Sequence, residues 1–136
     1  MLQKDKTILL IDDEDSQRRF MHSVLEDAGY NVLDGSDYEE ALVIHKQHGG
    51  RINVLLTDIS LPGKNGCELA KTLLEIDPGL KVIFISGATG AEVCRFHGIV
   101  TTDLHFLEKP FRAADLLQRL RDVLENGGPL LTRTAG

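Results

Sequence analysis

The sequence predicts an α/β fold in which short buried strands alternate with amphipathic helices. Two observations lead to this prediction. Five short apolar runs, each followed by polar or turn residues, recur along the 136 residues, as is typical of strands buried on both faces. Between these runs, apolar residues recur at helical spacing. Short parallel strands joined by right-handed helical crossovers form a three-layer α/β sandwich.

The strands are placed by the apolar runs and by the turn residues that bound them. The third is the clearest, because Val54, Leu55 and Leu56 lead directly to Asp58 and a loop rich in proline and glycine. The second is weaker and is predicted from YNVL alone. The predicted strands are Thr7–Ile11, Tyr30–Leu33, Asn53–Thr57, Lys81–Ile85 and Asp103–Leu107.

The helices are predicted from apolar residues at helical spacing and from the glycines that end them. The fourth is short and poorly patterned, whereas the fifth is clearly amphipathic. The predicted helices are Asp15–Ala28, Tyr38–His48, Cys67–Ile76, Thr89–His97 and Phe111–Glu125. The apolar residues of the first helix are Phe20, Met21, Val24, Leu25 and Ala28.

Length and charge limit the class of protein. A chain of 136 residues is expected to form one domain. Its net charge of −6 argues against direct binding to nucleic acid, which needs a basic face. With no signal peptide and no long apolar run, we expect a cytoplasmic domain without direct membrane contact. Cys67 and Cys94 lack metal-ligand spacing, so buried or half-buried thiols are expected.

Polar side chains follow four of the five predicted strands. Asp12 and Asp13 follow the first strand, Asp58 the third, Ser86 the fourth and Lys109 the fifth. Because parallel strands end at one edge of a sheet, we expect these groups to meet in one crevice. Crowded carboxylates raise one another's pKa unless a cation compensates their charge. Mg²⁺, which prefers oxygen ligands, suits such a site.

The predicted crevice has the groups that phosphoryl transfer needs. A carboxylate beside Mg²⁺ can act as a nucleophile and form an aspartyl-phosphate. Lys109 can neutralise one phosphoryl oxygen, and Ser86 can donate a hydrogen bond to another. Each group alone has a structural interpretation, as an acid at a helix N-terminus or a residue of a turn. Their joint placement favours a phospho-acceptor.

Two motifs carry a resemblance to a known family. DISLPGKNG around Asp58 and FLEKPF around Lys109, with the acidic pair Asp12–Asp13 and with Ser86, resemble the receiver domain of two-component response regulators. The resemblance covers Thr7 to Glu125. It implies a flavodoxin-like receiver fold with five parallel strands in the order 2-1-3-4-5, a receiver domain over residues 1–125, and a flexible tail or linker remnant over residues 126–136.

The resemblance also implies roles for the acidic residues. Asp58 would accept a phosphoryl group from a phosphohistidine on a histidine kinase or a histidine phosphotransfer protein. Asp13, Asp58 and the backbone carbonyl of Ser60 would bind Mg²⁺ or Mn²⁺ directly, and Asp12 would bind it through water. The domain would be a signalling module of a phosphorelay, and its only catalysis would be its own phosphorylation and dephosphorylation.

Further roles follow from the same resemblance. Lys109 would pair with the phosphoryl group, and its peptide bond to Pro110 would be cis. Ser86 and Phe106 would form a switch, in which Ser86 moves toward the phosphoryl group and Phe106 rotates inward. Phe106 lacks the hydroxyl of the tyrosine found in many relatives. Plain packing in the core remains the alternative for Phe106.

Partners and origin are expected from the resemblance as well. A downstream protein would bind the face formed by the fourth helix, the fifth strand and the fifth helix. The run CRFHGIVTTDLHFLEKPF resembles the C-terminal receiver of hybrid sensor histidine kinases, although a stand-alone regulator stays open. Two other functions are left: a small phosphatase of the haloacid-dehalogenase type, and a degenerate receiver that acts only in docking. Such phosphatases typically carry Asp-x-Asp after the first strand, whereas this strand ends in adjacent aspartates and no cap insertion is seen, which argues against the first. The intact set of groups argues against the second.

Overall fold

The computed structural model describes residues 5–87 and 105–126, which form a parallel five-stranded sheet with helices on both faces. The strand order is β2-β1-β3-β4-β5, as predicted. The strands are β1 (Thr7–Ile11), β2 (Asn31–Gly35), β3 (Val54–Asp58), β4 (Lys81–Ser86) and β5 (His105–Glu108). The helices are α1 (Asp15–Asp27), α2 (Tyr38–Gln47), α3 (Gly66–Ile76) and a C-terminal helix (Ala113–Asn126).

The predicted boundaries differ from the observed ones mainly in β2. That strand was predicted to end at Leu33 but continues through Asp34 and Gly35, because these residues pair with Leu10 and Ile11 of β1. Pairing with a neighbour sustains the strand where its own sequence is polar. The predicted helix Thr89–His97 and the start of the predicted fifth strand lie outside the described residues, as does the predicted tail beyond Asn126.

Two apolar cores lie on opposite faces of the sheet, because successive residues of a strand point to opposite sides. In β1, Leu9 and Ile11 belong to the core with α2 and α3, whereas Ile8 and Leu10 belong to the core with α1 and the C-terminal helix. Burial on both faces explains the continuous apolar runs. Buried helix residues include Ala41, His45, Leu69, Ala70, Leu73, Leu116, Leu120 and Val123.

Phe20 is one of the apolar residues whose spacing predicts α1, yet it is 42% exposed, since Met21 and Leu25 fill the inner face. One expectation about an individual side chain is wrong. Cys67 is fully buried, yet it is disulfide-bonded and therefore does not present the expected thiol. Cys94, expected to be a thiol too, lies outside the described residues.

Helix α3 begins in close contact with the end of β3. Asn65 and Glu68 form a capping box, in which each side chain accepts a hydrogen bond from the other's backbone N–H at 2.9 Å. The backbone N–H of Gly66 donates to the carbonyl oxygen of Ile59 at 2.8 Å. A Cβ atom at Gly66 would overlap the carbonyl oxygen of Asp58 and lie 2.9 Å from Cα of Ile59. Only glycine allows α3 to start this close to the strand.

Gly66→Ala is therefore expected to destabilise the protein by about 1–3 kcal/mol, the usual cost of inserting an atom into a packed site. The overlap involves backbone atoms, so no side-chain rotation relieves it. Urea unfolding followed by circular dichroism measures the change. Gly79→Ala is the matched control, because its Cβ would have only a contact of 3.9 Å with Asp77. Equal unfolding midpoints for the two variants would contradict the close approach.

None of the helices within residues 5–87 and 105–126 is both long enough and apolar enough to cross a membrane.

Candidate functional site

The carboxyl ends of β1 and β3 bring three carboxylates together. Asp12 follows β1 and is 1% exposed, and Asp58 is the last residue of β3 and is 5% exposed. Asp13 lies beside them with its side chain exposed. One carboxylate oxygen from each of the three residues lies within 4.8 Å of the others. The three acids predicted from the strand ends therefore form one cluster.

Lys109 reaches this cluster from the end of β5. Its Nζ donates a hydrogen bond to Oδ2 of Asp58 at 2.9 Å, and the backbone N–H of Ser60 donates to Oδ1 at 3.1 Å. The backbone N–H of Lys109 donates to the carbonyl of Ser86 at 2.9 Å, which ties the ends of β5 and β4 together. The peptide bond between Lys109 and Pro110 is cis. Asp58 is thus held by two donors, one of them charged.

The charge of Lys109 is maintained by its surroundings. Burial lowers the pKa of its ammonium, but the hydrogen bond and the negative charge of Asp58 raise it, and Asp12 and Glu14 add to that effect. The net result is a pKa above the ordinary value of a lysine. Lys109 is therefore positively charged at neutral pH and can neutralise charge on a group bound at Asp58.

Asp12 is the carboxylate of the cluster whose charged form is disfavoured. Burial raises its pKa to about 6, and the charge of Asp58 adds to the increase, whereas a hydrogen bond from the backbone N–H of Glu14 to Oδ1 opposes it. Among the described residues, Oδ2 of Asp12 has no hydrogen-bond partner. A buried carboxylate oxygen without a partner is costly unless a cation or water satisfies it.

The acidic cluster is consistent with a divalent metal site. Its donors are all carboxylate oxygens, which hard cations such as Mg²⁺ and Ca²⁺ prefer, and it contains no histidine or cysteine. A cation there would offset the burial and, to a lesser extent, the charge of Asp58 that raise the pKa of Asp12. The backbone carbonyl of Ser60 was predicted as a further ligand, and it follows Asp58 by two residues in an exposed loop.

Ser86 and Phe106, the residues of the predicted switch, lie on the neighbouring strands β4 and β5, and their roles stay predictions. Ser86 ends β4 at the same edge of the sheet and is 8% exposed, and its Oγ donates to the carbonyl of Gly87 at 3.0 Å. Phe106 is half-buried in β5 and stacks on Phe84, with ring centroids 5.4 Å apart. The hydroxyl of Ser86 is therefore bonded to its own turn and not to Asp58.

Sequence reasoning did not identify Arg18 as part of this region. One guanidinium nitrogen of Arg18 donates to the backbone carbonyl of Asp12 at 2.6 Å, and another donates to Oδ1 of Asp15 at 2.7 Å. This arrangement fixes the first turn of α1 against the loop that holds Asp12. The available signal was a basic residue one turn after an acidic cluster.

Comparison with known proteins gives a consistent result. Residues 8–121 match the family model described as response regulator receiver domain. The chain is 36% identical over 119 residues to the response regulator receiver protein CpdR of Brucella abortus, which covers 88% of this chain and 97% of CpdR. It is 31% identical to the sensor kinase CckA of the same organism, over 88% of this chain but only 12% of that kinase.

One solved structure with the same fold is a complex that includes Mg²⁺. The CheX–CheY–BeF3–Mg²⁺ complex from Borrelia burgdorferi includes a chain that is 27% identical to this one, with a TM-score of 0.74. The match covers 88% of this chain and 89% of the other. With the strand order, the acidic cluster and the matched family model, these similarities lead to one conclusion: the chain belongs to the family of response regulator receiver domains.

Proposed function

We propose that Asp58 of this receiver domain accepts a phosphoryl group from a phosphohistidine on a histidine kinase or a histidine phosphotransfer protein. The observation that carries the proposal is the position of the Asp58 carboxylate, 2.9 Å from the ammonium of Lys109 and within 4.8 Å of the acidic pair. A carboxylate oxygen of Asp58 would form the new bond to phosphorus while the bond from phosphorus to the histidine nitrogen breaks. The histidine would leave as neutral imidazole, because the electron pair of the broken bond stays on one ring nitrogen and the other ring nitrogen carries the proton.

The acidic cluster would hold Mg²⁺, or Mn²⁺ in its place, during this transfer. Asp13, Asp58 and the carbonyl of Ser60 would be direct ligands, and Asp12 would hold the ion through water. The ion would supply charge neutralisation for the phosphoryl oxygens. The orphaned Oδ2 of Asp12 and the all-oxygen donor set support this assignment.

Phosphorylation would be read out through Lys109, Ser86 and Phe106. The ammonium of Lys109, which donates a hydrogen bond to Oδ2 of Asp58 in this structure, would pair with a phosphoryl oxygen. The hydroxyl of Ser86 would exchange its bond to the carbonyl of Gly87 for one to another phosphoryl oxygen. The space left by Ser86 would admit the ring of Phe106, which stacks on Phe84 in this structure. Such a change biases a two-state element by local charge.

The phosphoryl-transfer proposal is tested by intact mass after incubation with acetyl phosphate and Mg²⁺. One added phosphoryl group is expected in the wild type, none in Asp58→Asn, and none in the wild type when EDTA replaces Mg²⁺. Asp27→Asn, an exposed aspartate at the end of α1, is the matched control and should be phosphorylated like the wild type. An adduct of equal yield in Asp58→Asn would show that another residue is the acceptor.

The described part of the predicted output face has a feature that suits a partner. A shallow cavity of about 280 Å³ lies between β5 and the C-terminal helix, lined by Leu107, Pro110, Phe111 and Gln118 among others. We propose that a downstream protein binds there and that the receiver domain spans residues 1–125 in the cytoplasm, followed by a tail.

The family consists of signalling domains rather than conventional enzymes, which weighs against the phosphatase alternative.

A further inference from the structure

Hydrogen bonds hold the short loop between β1 and α1 that carries Asp12 and Asp13. The backbone N–H of Asp12 donates to the carbonyl of Gly35 at 3.1 Å, and the backbone N–H of Glu14 donates to Oδ1 of Asp12 at 2.9 Å. The backbone carbonyl of Asp12 accepts a hydrogen bond from a guanidinium nitrogen of Arg18 at 2.6 Å. This carbonyl belongs to the peptide group that joins Asp12 to Asp13, so Arg18 holds the backbone directly before Asp13.

The guanidinium of Arg18 is itself fixed in direction. Its second nitrogen donates to Oδ1 of Asp15, three residues earlier on α1, at 2.7 Å, and its side chain is only 18% exposed. A planar guanidinium with an acceptor on each of two nitrogens keeps one orientation better than a lysine ammonium does. Among the described residues, the N-cap residue Glu14 forms no side-chain cap hydrogen bond. The side chain of Arg18, and not a cap, therefore ties the start of α1 to the loop.

We propose that Arg18 is a positioning residue for the metal site, because its bond to the carbonyl of Asp12 sets the direction in which Asp13 leaves the loop. The inference rests on the proposed binding of Mg²⁺ by the three acids. The side chain of Asp13 is exposed, so its position depends on the backbone that carries it. One oxygen of Asp13 lies within 4.8 Å of oxygens of Asp12 and Asp58, the closeness that a shared cation needs.

Mg²⁺ alone is the probe, titrated into the ¹⁵N-labelled chain without any phosphoryl donor. The amide signals of Asp13, Glu14 and Ser60 follow binding, since Ser60 donates to the Asp58 carboxylate. In Arg18→Met we expect Mg²⁺ to bind about tenfold more weakly than in the wild type, as when other groups that orient metal ligands are removed. The charge of Arg18 acting alone would give the opposite sign, because loss of a positive charge near carboxylates favours a cation. Arg18→Lys keeps one donor and should lie between the two.

Arg19→Met is the matched control, since Arg19 is the next residue of α1, is exposed and carries the same charge. Its Mg²⁺ affinity should stay within about twofold of the wild type, because solvent and salt screen an exposed charge. Urea unfolding in EDTA is measured for each variant. A lower stability of Arg18→Met with an unchanged Mg²⁺ affinity would mean a structural role only and would overturn the proposal.

The remaining outcomes separate the role of Arg18 from the metal site itself. Saturable binding by the wild type with equal or tighter binding by Arg18→Met would overturn the role of Arg18 and leave the metal site standing. Weakening of the same size in Arg19→Met would overturn that role as well, because the effect would then not depend on the bond to Asp12. No saturable binding by the wild type would overturn the proposed metal site and the role of Arg18 together.

Discussion

Replacing Asp12 with asparagine is expected to stabilise the metal-free protein by up to about 3 kcal/mol near pH 7. Burial raises the pKa of Asp12 from 3.8 to about 6, so its charged form is disfavoured in the folded state by roughly that amount. Asparagine carries no charge and keeps an oxygen for the N–H of Glu14. Urea unfolding in EDTA, with the wild type beside the variant, measures the gain.

The difference in unfolding free energy between Asp12→Asn and the wild type is expected to depend on pH. Below about pH 4, Asp12 is protonated in both the folded and the unfolded chain, and the variant should gain little. Between pH 4 and 6 the unfolded chain loses this proton first, so the stability contributed by the neutral Asp12 falls as pH rises. The difference between variant and wild type should therefore grow through this interval and level off above it.

The same substitution is expected to weaken the binding of divalent metal. Mg²⁺ that binds only the folded protein raises its stability, and the increase reports the affinity. We expect Mg²⁺ to stabilise the wild type strongly. The Mg²⁺ affinity derived from this stabilisation should be about 10–100-fold weaker in Asp12→Asn, the usual effect of removing a group that holds a metal indirectly. A variant that is less stable than the wild type in EDTA would contradict the account of Asp12. Asp13→Asn, at an exposed position, should change metal-free stability little.

Removal of the ammonium of Lys109 is expected to lower the rate of phosphorylation of Asp58 by about 10²–10³-fold. Lys109 is the charged donor to the Asp58 carboxylate, and loss of one positioned donor to developing charge usually has an effect of this size. Lys109→Met keeps an apolar stem and removes the ammonium, and with it both the charge and the hydrogen bond to Asp58. The rate is measured by intact mass at several times after addition of acetyl phosphate and Mg²⁺.

Two comparisons show whether the effect of Lys109 lies in the transfer step. Lys109→Arg keeps the charge in a bulkier group and should lose less activity than Lys109→Met. Because the side chain of Lys109 is 39% exposed, both variants should remain folded, and Lys109→Met is expected to be the less stable of the two because it leaves the buried carboxylate of Asp58 without its cation. A rate in Lys109→Met within a few-fold of the wild type would refute the proposed role.

The fold could be predicted from the sequence where local pattern and tertiary environment agree. Strand β1 was predicted residue for residue, because burial on both faces makes its whole run apolar. Strand β2 was placed too early, since Asp34 and Gly35 are held by pairing with β1 and not by their own propensity. The exposure of Phe20 depends on how α1 is rotated against the sheet, which the periodicity of one helix does not determine.

For the site, the sequence was enough to predict that the acids and Lys109 lie together, but not which hydrogen bonds the side chains form. The acids and Lys109 follow apolar runs directly, so the end of each strand identifies them. The bond of Ser86 to the carbonyl of Gly87 and the bonds of Arg18 to the loop of Asp12 depend on side-chain orientation. The contact of 3.6 Å between Nε2 of His45 and Oδ2 of Asp77 depends on how α2 packs against α3, which the linear pattern does not reveal.

Strands β3 and β5 differ in how many neighbouring strands hold them in the sheet. Strand β3 is paired on both sides, with β1 and β4, and the start of α3 abuts it at Gly66. Strand β5, in the described residues, is paired only with β4. Local opening is therefore expected to cost more at Asp58 than at the edge strand that carries Phe106. The proposed phosphoryl transfer would thus take place on a strand held from both sides, while the strand that could relay its outcome is held from one side in the described residues.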